Sequence, residues 1–216
     1  EILTIILLIC VIFSLQAVVA ADSGSNSTDS NVLSVDNNVS AYTLPNSESN
    51  SLLGNDNAVS FDQLKQDIEN GGSDITLTKN YTYENSDVAK VGNTGIVLSG
   101  TKTINGNGKV IIDANHMSRI FVIAPTATVT LKGITFVNAN ATVMPNGNQF
   151  GHGGSIFANG VVHIDNCKFE DNTATMGNGG AIFINGFASS ITNSYFEGNR
   201  AIKNSGNMKS GGAGYL

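Results

Sequence analysis

Within residues 59–216, side chains of the types that do acid–base, nucleophilic or metal chemistry are few and scattered. A glycoside-cleaving site needs two carboxyl groups held several ångströms apart across a sugar. Asp113, Asp165 and Asp171 are the aspartates to test for it. In the repeat alignment given below, Asp165 has Lys132 before it and Thr192 after it, and Asp171 has Gly198 after it. No acidic pair is therefore expected from repeat to repeat. Elimination chemistry needs a base beside metal-binding acids, and Arg119 and Arg200 are the only arginines. His116 falls in a loop and His152 precedes a glycine pair, while His163 alternates with Val162 and Ile164 and should face solvent. None has a ligand spacing such as His-x-x-x-His, so surface histidine is the better account. Cys167 takes a repeat position held elsewhere by Ile134 and Ser194, which reads as a small buried thiol rather than a nucleophile. The stretch Gly95 to Thr103 is one residue too long for a phosphate-binding loop, and Gly106-Asn107-Gly108 lacks the third glycine of a dinucleotide fingerprint. No Gly-Gly-x-Gly-x-Asp calcium repeat occurs. The expectation is a segment with no catalytic, cofactor-binding or metal-binding residue.

The elements that would position any site are short. The 216 residues include 24 glycines, 28 asparagines and no tryptophan, and only 13% are charged. Glycine and asparagine weaken helices and favour tight turns, so short strands joined by many turns are expected. Ser60 to Asn70 is the one credible helix: Ser60 caps it, Gln63 completes a capping box, Phe61, Leu64 and Ile68 share a face, and Asn70-Gly71-Gly72 ends it. Strands are expected at Ile75 to Thr78, Gly95 to Leu98, Val110 to Asp113, Ile120 to Ile123 and Val129 to Leu131.

The chain repeats itself. Gly153-Gly154-Ser155-Ile156-Phe157 returns as Gly179-Gly180-Ala181-Ile182-Phe183 and again as Gly211-Gly212-Ala213-Gly214-Tyr215. Between these stand Leu131-Lys132-Gly133-Ile134-Thr135-Phe136, Ile164-Asp165-Asn166-Cys167-Lys168-Phe169 and Ile191-Thr192-Asn193-Ser194-Tyr195-Phe196. The first position is Leu131, Ile164 or Ile191 and the last is Phe136, Phe169 or Phe196, as inward-facing columns require. The third is glycine or asparagine, the residues that tolerate a left-handed bend. Coils of this grammar fit an all-β, right-handed parallel β-helix, with the helix as its N-terminal cap and Asn172 over Asn199 as a hydrogen-bonded ladder. A β-sandwich would also explain short strands, but not why matching residues return in register.

The formal charge is −6, which leaves no basic surplus for a nucleic-acid partner. Ile2 to Ala21 is nearly unbroken apolar sequence ending in small residues, so 1–21 reads as a secretory signal peptide, truncated at its start, in preference to a retained membrane anchor. Residues 22–58 hold nine serines, eight asparagines and five acids but no base, and read as a disordered spacer. Residues 59–216 carry eleven acids and eleven bases, so the acidity belongs to the spacer. The pattern stops midway at Tyr215-Leu216, which reads as a β-helix incomplete at its C-terminus.

Length differences between repeats gather at one corner, in loops of roughly 139–152, 173–178 and 202–210. Variable loops on one side of a repeat array commonly form its binding edge. Met144, Phe150, His152, Met176 and Met208 are the candidate binding-loop residues, although Met176 and Met208, each three before a glycine pair, read more readily as gap fillers. Asn26, Asn38, Asn80 and Asn140 each begin an Asn-x-Ser/Thr triplet and are candidate glycan acceptors.

Gly-Gly-Ala-Ile at 179–182, with Phe-Glu-Asp-Asn at 169–172 and Phe-Glu-Gly-Asn at 196–199, resembles the repeats of polymorphic outer-membrane proteins. The order of apolar leader, polar spacer, short helix, a stretch from Ile104 to Asp113 and then such repeats more closely resembles the adhesin-like family of host-associated methanogenic archaea. The first copy departs from the pattern, with Ala139 where Phe-x-x-Asn would place asparagine. The resemblance implies a right-handed β-helix displayed at the cell surface with an adhesive role. The expected protein is secreted or cell-surface and non-catalytic in this segment. It would bind a surface glycan or protein through its loop edge, touching membrane only through its leader or an anchor outside this sequence. A polysaccharide lyase or hydrolase with its cleft in downstream coils, or a structural spacer, are the alternatives.

Overall fold

The computed structural model describes residues 57–142, 151–202 and 212–215. The leader 1–21, the spacer up to residue 56, and Met144, Phe150, Met208, Asn26 and Asn38 lie outside the described residues. Apart from the helix α1 (Phe61–Asn70) and a 3-10 turn at Asn85–Asp87, the described elements are strands. They form sheets of nine, five and three strands, and every pairing is parallel. A sandwich of antiparallel sheets is therefore not the architecture.

The chain visits the sheets in a fixed order. From Ile96–Leu98 in the five-stranded sheet it enters the nine-stranded sheet as Thr101–Asp113 and returns to Phe121–Ile123. The next pass runs through Thr128–Val137 and Asn140–Ala141, the latter in the three-stranded sheet, and comes back at Ile156–Ala158. The following passes use Val161–Asp165, Lys168–Glu170 and Thr173–Thr175, then Ile182–Ile184, Ser190–Thr192, Tyr195–Glu197 and Arg200–Ile202, with Gly214–Tyr215 rejoining the five-stranded sheet. Several strands expected from sequence are the cores of longer ones: Val110 to Asp113 is the end of Thr101–Asp113 and Val129 to Leu131 the middle of Thr128–Val137. The three-stranded sheet corrects the expected loop edges, because residues 140–141, 173–175 and 202 lie in paired strands rather than loop.

Register places like over like. Leu131, Ile164 and Ile191 pair in sequence, as do Phe136, Phe169 and Phe196. The phenyl rings stack nearly parallel, with centroids 4.9 Å and 4.8 Å apart, which is the spacing between neighbouring strands. Gly133, Asn166 and Asn193 at the bends all have positive φ, at 58°, 51° and 50°. At the glycine pairs close approach is the reason for glycine: a Cβ on Gly154 would meet the Gly180 carbonyl, and one on Gly180 the Gly212 carbonyl. Asn172 is fully buried and joins three passes. Its Nδ2 donates to the Phe136 carbonyl and to Asn199 Oδ1, while its Oδ1 accepts from the Ala139 N–H. Asn199 repeats the motif with the Phe169 carbonyl at 2.8 Å. Ala139, which departs from the repeat, ends the ladder by supplying only a backbone donor.

The first pass is covered by α1, whose Phe61, Leu64 and Ile68 join the common core, with Phe61 edge-on to Tyr83 at 5.1 Å. Its N-terminus is held differently from expectation. Ser60 Oγ accepts from the Gln63 N–H as a cap should, but Gln63 donates its amide to Asp67 instead of closing a capping box. The second cap comes from the 3-10 turn. The buried Asp87 carboxylate accepts from the N–H groups of Phe61, Asp62 and Glu84 at 3.1, 2.9 and 2.8 Å. Replacing Asp87 by Ala leaves three donors without this acceptor and should cost about 3 kcal/mol. Urea unfolding would register the loss; a change within about 0.5 kcal/mol would show that the helix is held by its apolar face alone.

Candidate binding surface

Alternation along the five-stranded sheet buries Ile96, Phe121, Ile156 and Ile182 and turns the next residue outward. In register these outward residues are Val97, Val122, Phe157 and Phe183, one large apolar or aromatic residue per pass. Val97 is 63% exposed, and Val122, Phe157 and Phe183 are half-buried. The rings of Phe157 and Phe183 stack at 5.6 Å and 24°. Phe187, two residues beyond Asn185 in the following turn, is 94% exposed. Sequence reasoning used the Ile-Phe pairs as a repeat marker without seeing that the phenylalanine faces out; the alternation in Ser155 to Ala158 was the available signal.

Two residues frame this row. His152 stacks on Phe183 at 4.4 Å, and its Nδ1 accepts from the Asn178 N–H at 2.8 Å. That corrects its reading as a surface histidine: it is a half-buried corner piece between passes. Arg119 lies with its guanidinium carbon 5.5 Å from the Phe157 ring centre. It donates Nε to the Gly153 carbonyl and its terminal nitrogens to the carbonyls of Thr94 and His152. Burial without a carboxylate partner brings its pKa down to about 10. The three carbonyls hold this cation, so Arg119 clips loops together.

The other sequence candidates disperse. Asp113 accepts from Asn115 N–H and Asn138 Nδ2. Asp165 accepts from Asn193 Nδ2 and Thr192 Oγ1, and these hydrogen bonds hold its carboxyl below the usual range. A general acid needs the opposite shift. Asp171 takes positive φ, 54°, at a bend. One expectation is corrected: an acidic pair does pass between repeats, because Glu170 and Glu197 are in register, with the Tyr195 hydroxyl donating to Glu197 at 3.0 Å. The alignment compared aspartates and overlooked the Phe-Glu pairs. Met176 is 40% exposed with φ of 61°, so it is not the gap filler expected. Asn80 and Asn140 are tied into the fold, their amide oxygens accepting from the Ile111 N–H and the Thr175 hydroxyl. His116 sits exposed in a turn at positive φ, and His163 faces outward beside Ser190 Oγ at 2.9 Å. Among the described residues no three histidine, cysteine, aspartate or glutamate side chains are grouped to hold a metal ion, and no helix is long and apolar enough to cross a membrane.

No protein-family model, curated protein or solved structure matches the chain.

Cys167 is 1% exposed, with its thiol toward the carbonyls of Leu131 and Asp165. Burial pushes its pKa up to about 11. The fold thus favours the neutral thiol, and this part of its stability is complete below the unfolded value, about 8.5, and lost as pH rises through about 11. At pH 8 iodoacetamide should leave Cys167 unmodified in the native chain and alkylate it only after unfolding, as read by peptide mass. Rapid native labelling would place the thiol outside the core.

Proposed function

We propose that the chain is a secreted or cell-surface, adhesin-like protein built as a right-handed parallel β-helix, which binds a surface glycan or protein without catalysis in this segment. The architecture draws support from the fixed order of parallel sheets and the general right-handed preference of parallel crossovers. The observation that carries the binding role is the outward row Val97, Val122, Phe157 and Phe183. Interior columns explain themselves by burial, whereas the row on the outer face, with Val97 63% exposed, offers an apolar strip to a partner. Rings at regular spacing suit a repetitive ligand that stacks along them.

A second reading, a polysaccharide-cleaving enzyme, takes its support from the in-register Glu170 and Glu197. Both readings meet one experiment. Beads coated with the full chain are exposed to cells and immobilised surface glycans, and soluble polysaccharide is assayed for new reducing or unsaturated ends. The adhesive reading expects retention that falls about tenfold or more in F157S/F183S with the circular dichroism spectrum unchanged, and no new chain ends. Retention unaffected by the double substitution would overturn the assignment of the row. New chain ends lost in E170Q/E197Q would move the chain to the enzymes.

A further inference from the structure

The bends of the first two passes differ from all later ones. Where Gly133 alone joins the two arms of its pass, the pass before it spends four residues, Gly106 to Lys109, between Asn105 and Val110. Over the same span the first pass has four residues, Leu77 to Asn80, opposite Gly106 to Ile111, one more than the three, Gly133 to Thr135, of the third pass. These widened corners lie over one another and are fixed by Leu77 N–H to the Asn105 carbonyl, Ile111 N–H to Asn80 Oδ1 and Asn107 N–H to Asn105 Oδ1. Asn107 and Gly108 carry the turn at φ of 53° and 69°.

The extra residues border an open cleft of about 460 Å³, within the range that holds small ligands. Its floor includes Leu77 and Val110, and its polar wall includes Asn57, Thr78, Asn80 and Asn107. The two charged residues lining it, Lys79 and Lys109, are both exposed, and among the described residues neither makes an ion pair or a side-chain hydrogen bond. Among the described residues no acid lines this cleft. The acids nearby, Asp67 and Asp74, line an adjoining cleft of about 340 Å³ that shares Thr78 and Lys79 with this one, and there Asp67 already accepts from Gln63 and the Tyr81 hydroxyl. In a region, 59–216, with eleven acids and eleven bases in all, two cations over amides, a hydroxyl and an apolar floor form a local recognition pattern. Amides and hydroxyl suit sugar hydroxyls, the floor suits a ring face, and the ammonium groups suit an anionic substituent.

We propose that this corner cleft binds an acidic sugar residue, a ring bearing carboxylate or sulfate, within a longer polysaccharide. The proposal rests on the surface-binding reading in taking a glycan as partner, and it places that contact at a site apart from the aromatic row.

The test titrates the full chain by calorimetry with oligogalacturonate, a sulfated oligosaccharide, a neutral maltooligosaccharide and inorganic sulfate. At least one acidic oligosaccharide should bind about tenfold or more tightly than both the neutral oligomer and inorganic sulfate. K79Q/K109Q should lose about tenfold or more, as expected for deleting charged hydrogen bonds. K132Q/K168Q, which removes the same charge from exposed positions on later passes, should bind as the unaltered chain does. The two acidic probes separate carboxylate from sulfate as the favoured group. Equal losses in the two lysine pairs, equal binding of inorganic sulfate, or no binding of either acidic oligomer would overturn the proposal. Loss confined to F157S/F183S would also overturn it while leaving the adhesive reading intact, whereas loss of cell retention with acidic-sugar binding preserved would do the reverse.

Discussion

Parallel, in-register pairing between successive passes is the constraint from which the rest of the structure follows. It sets each paired residue directly over its counterpart about 4.8 Å away, so each such position must be compatible with a copy of itself. Stacked charges repel, whereas aliphatic groups, phenyl rings and asparagine amides gain from the repetition. That explains a chain with 13% charged residues and 28 asparagines. The interior shows all three solutions: the Leu131, Ile164 and Ile191 column, the rings of Phe136, Phe169 and Phe196, and the Asn172–Asn199 ladder. The buried asparagines hold register where apolar columns alone would tolerate slippage, because a shift of one residue would strand their amides beside apolar neighbours.

Repetition leaves two kinds of position free for other tasks. One is the start of the stack, where no preceding pass exists; α1 covers it, and Asp87 ties the helix to the passes beneath through backbone donors. The other is the outer surface, where side chains contribute little to the core. On the five-stranded sheet that freedom is spent on an apolar and aromatic row, and at the first two bends on lysine and amide groups. Arg119 shows the limit of such freedom: its charge is consumed by three carbonyls that bind the loops around the row.

Much of this was legible in the sequence because the repeat carries it. Columns, left-handed bends at Gly133, Asn166 and Asn193, the asparagine ladder, the buried Cys167 and the capping helix all follow from residues that recur at fixed offsets. Interactions made once escaped notice. Asp87 caps α1 from 25 residues away and Arg119 reaches carbonyls on other passes, and no periodicity announces either. His152 misled for the same reason, since its stacking on Phe183 depends on how one corner folds back. The outward phenylalanines and the Glu170–Glu197 pair were recoverable by reading the second residue of each repeated pair as carefully as the first. The widened corners were hidden because the first two passes resemble the later ones too weakly to be aligned by eye.

Register between passes is most directly tested by cysteine pairs at Thr130, His163 and Ser190, with both native cysteines replaced by serine. His163 is the direct partner of both Thr130 and Ser190, while those two are separated by an intervening strand. Under mild oxidation T130C/H163C and H163C/S190C should form intramolecular disulfides. T130C/S190C should not, because two strand spacings, about 9.6 Å, exceed the reach of about 7 Å between bridged Cα atoms. Ready closure of T130C/S190C, or failure of both neighbouring pairs in a folded chain, would contradict the stacked arrangement.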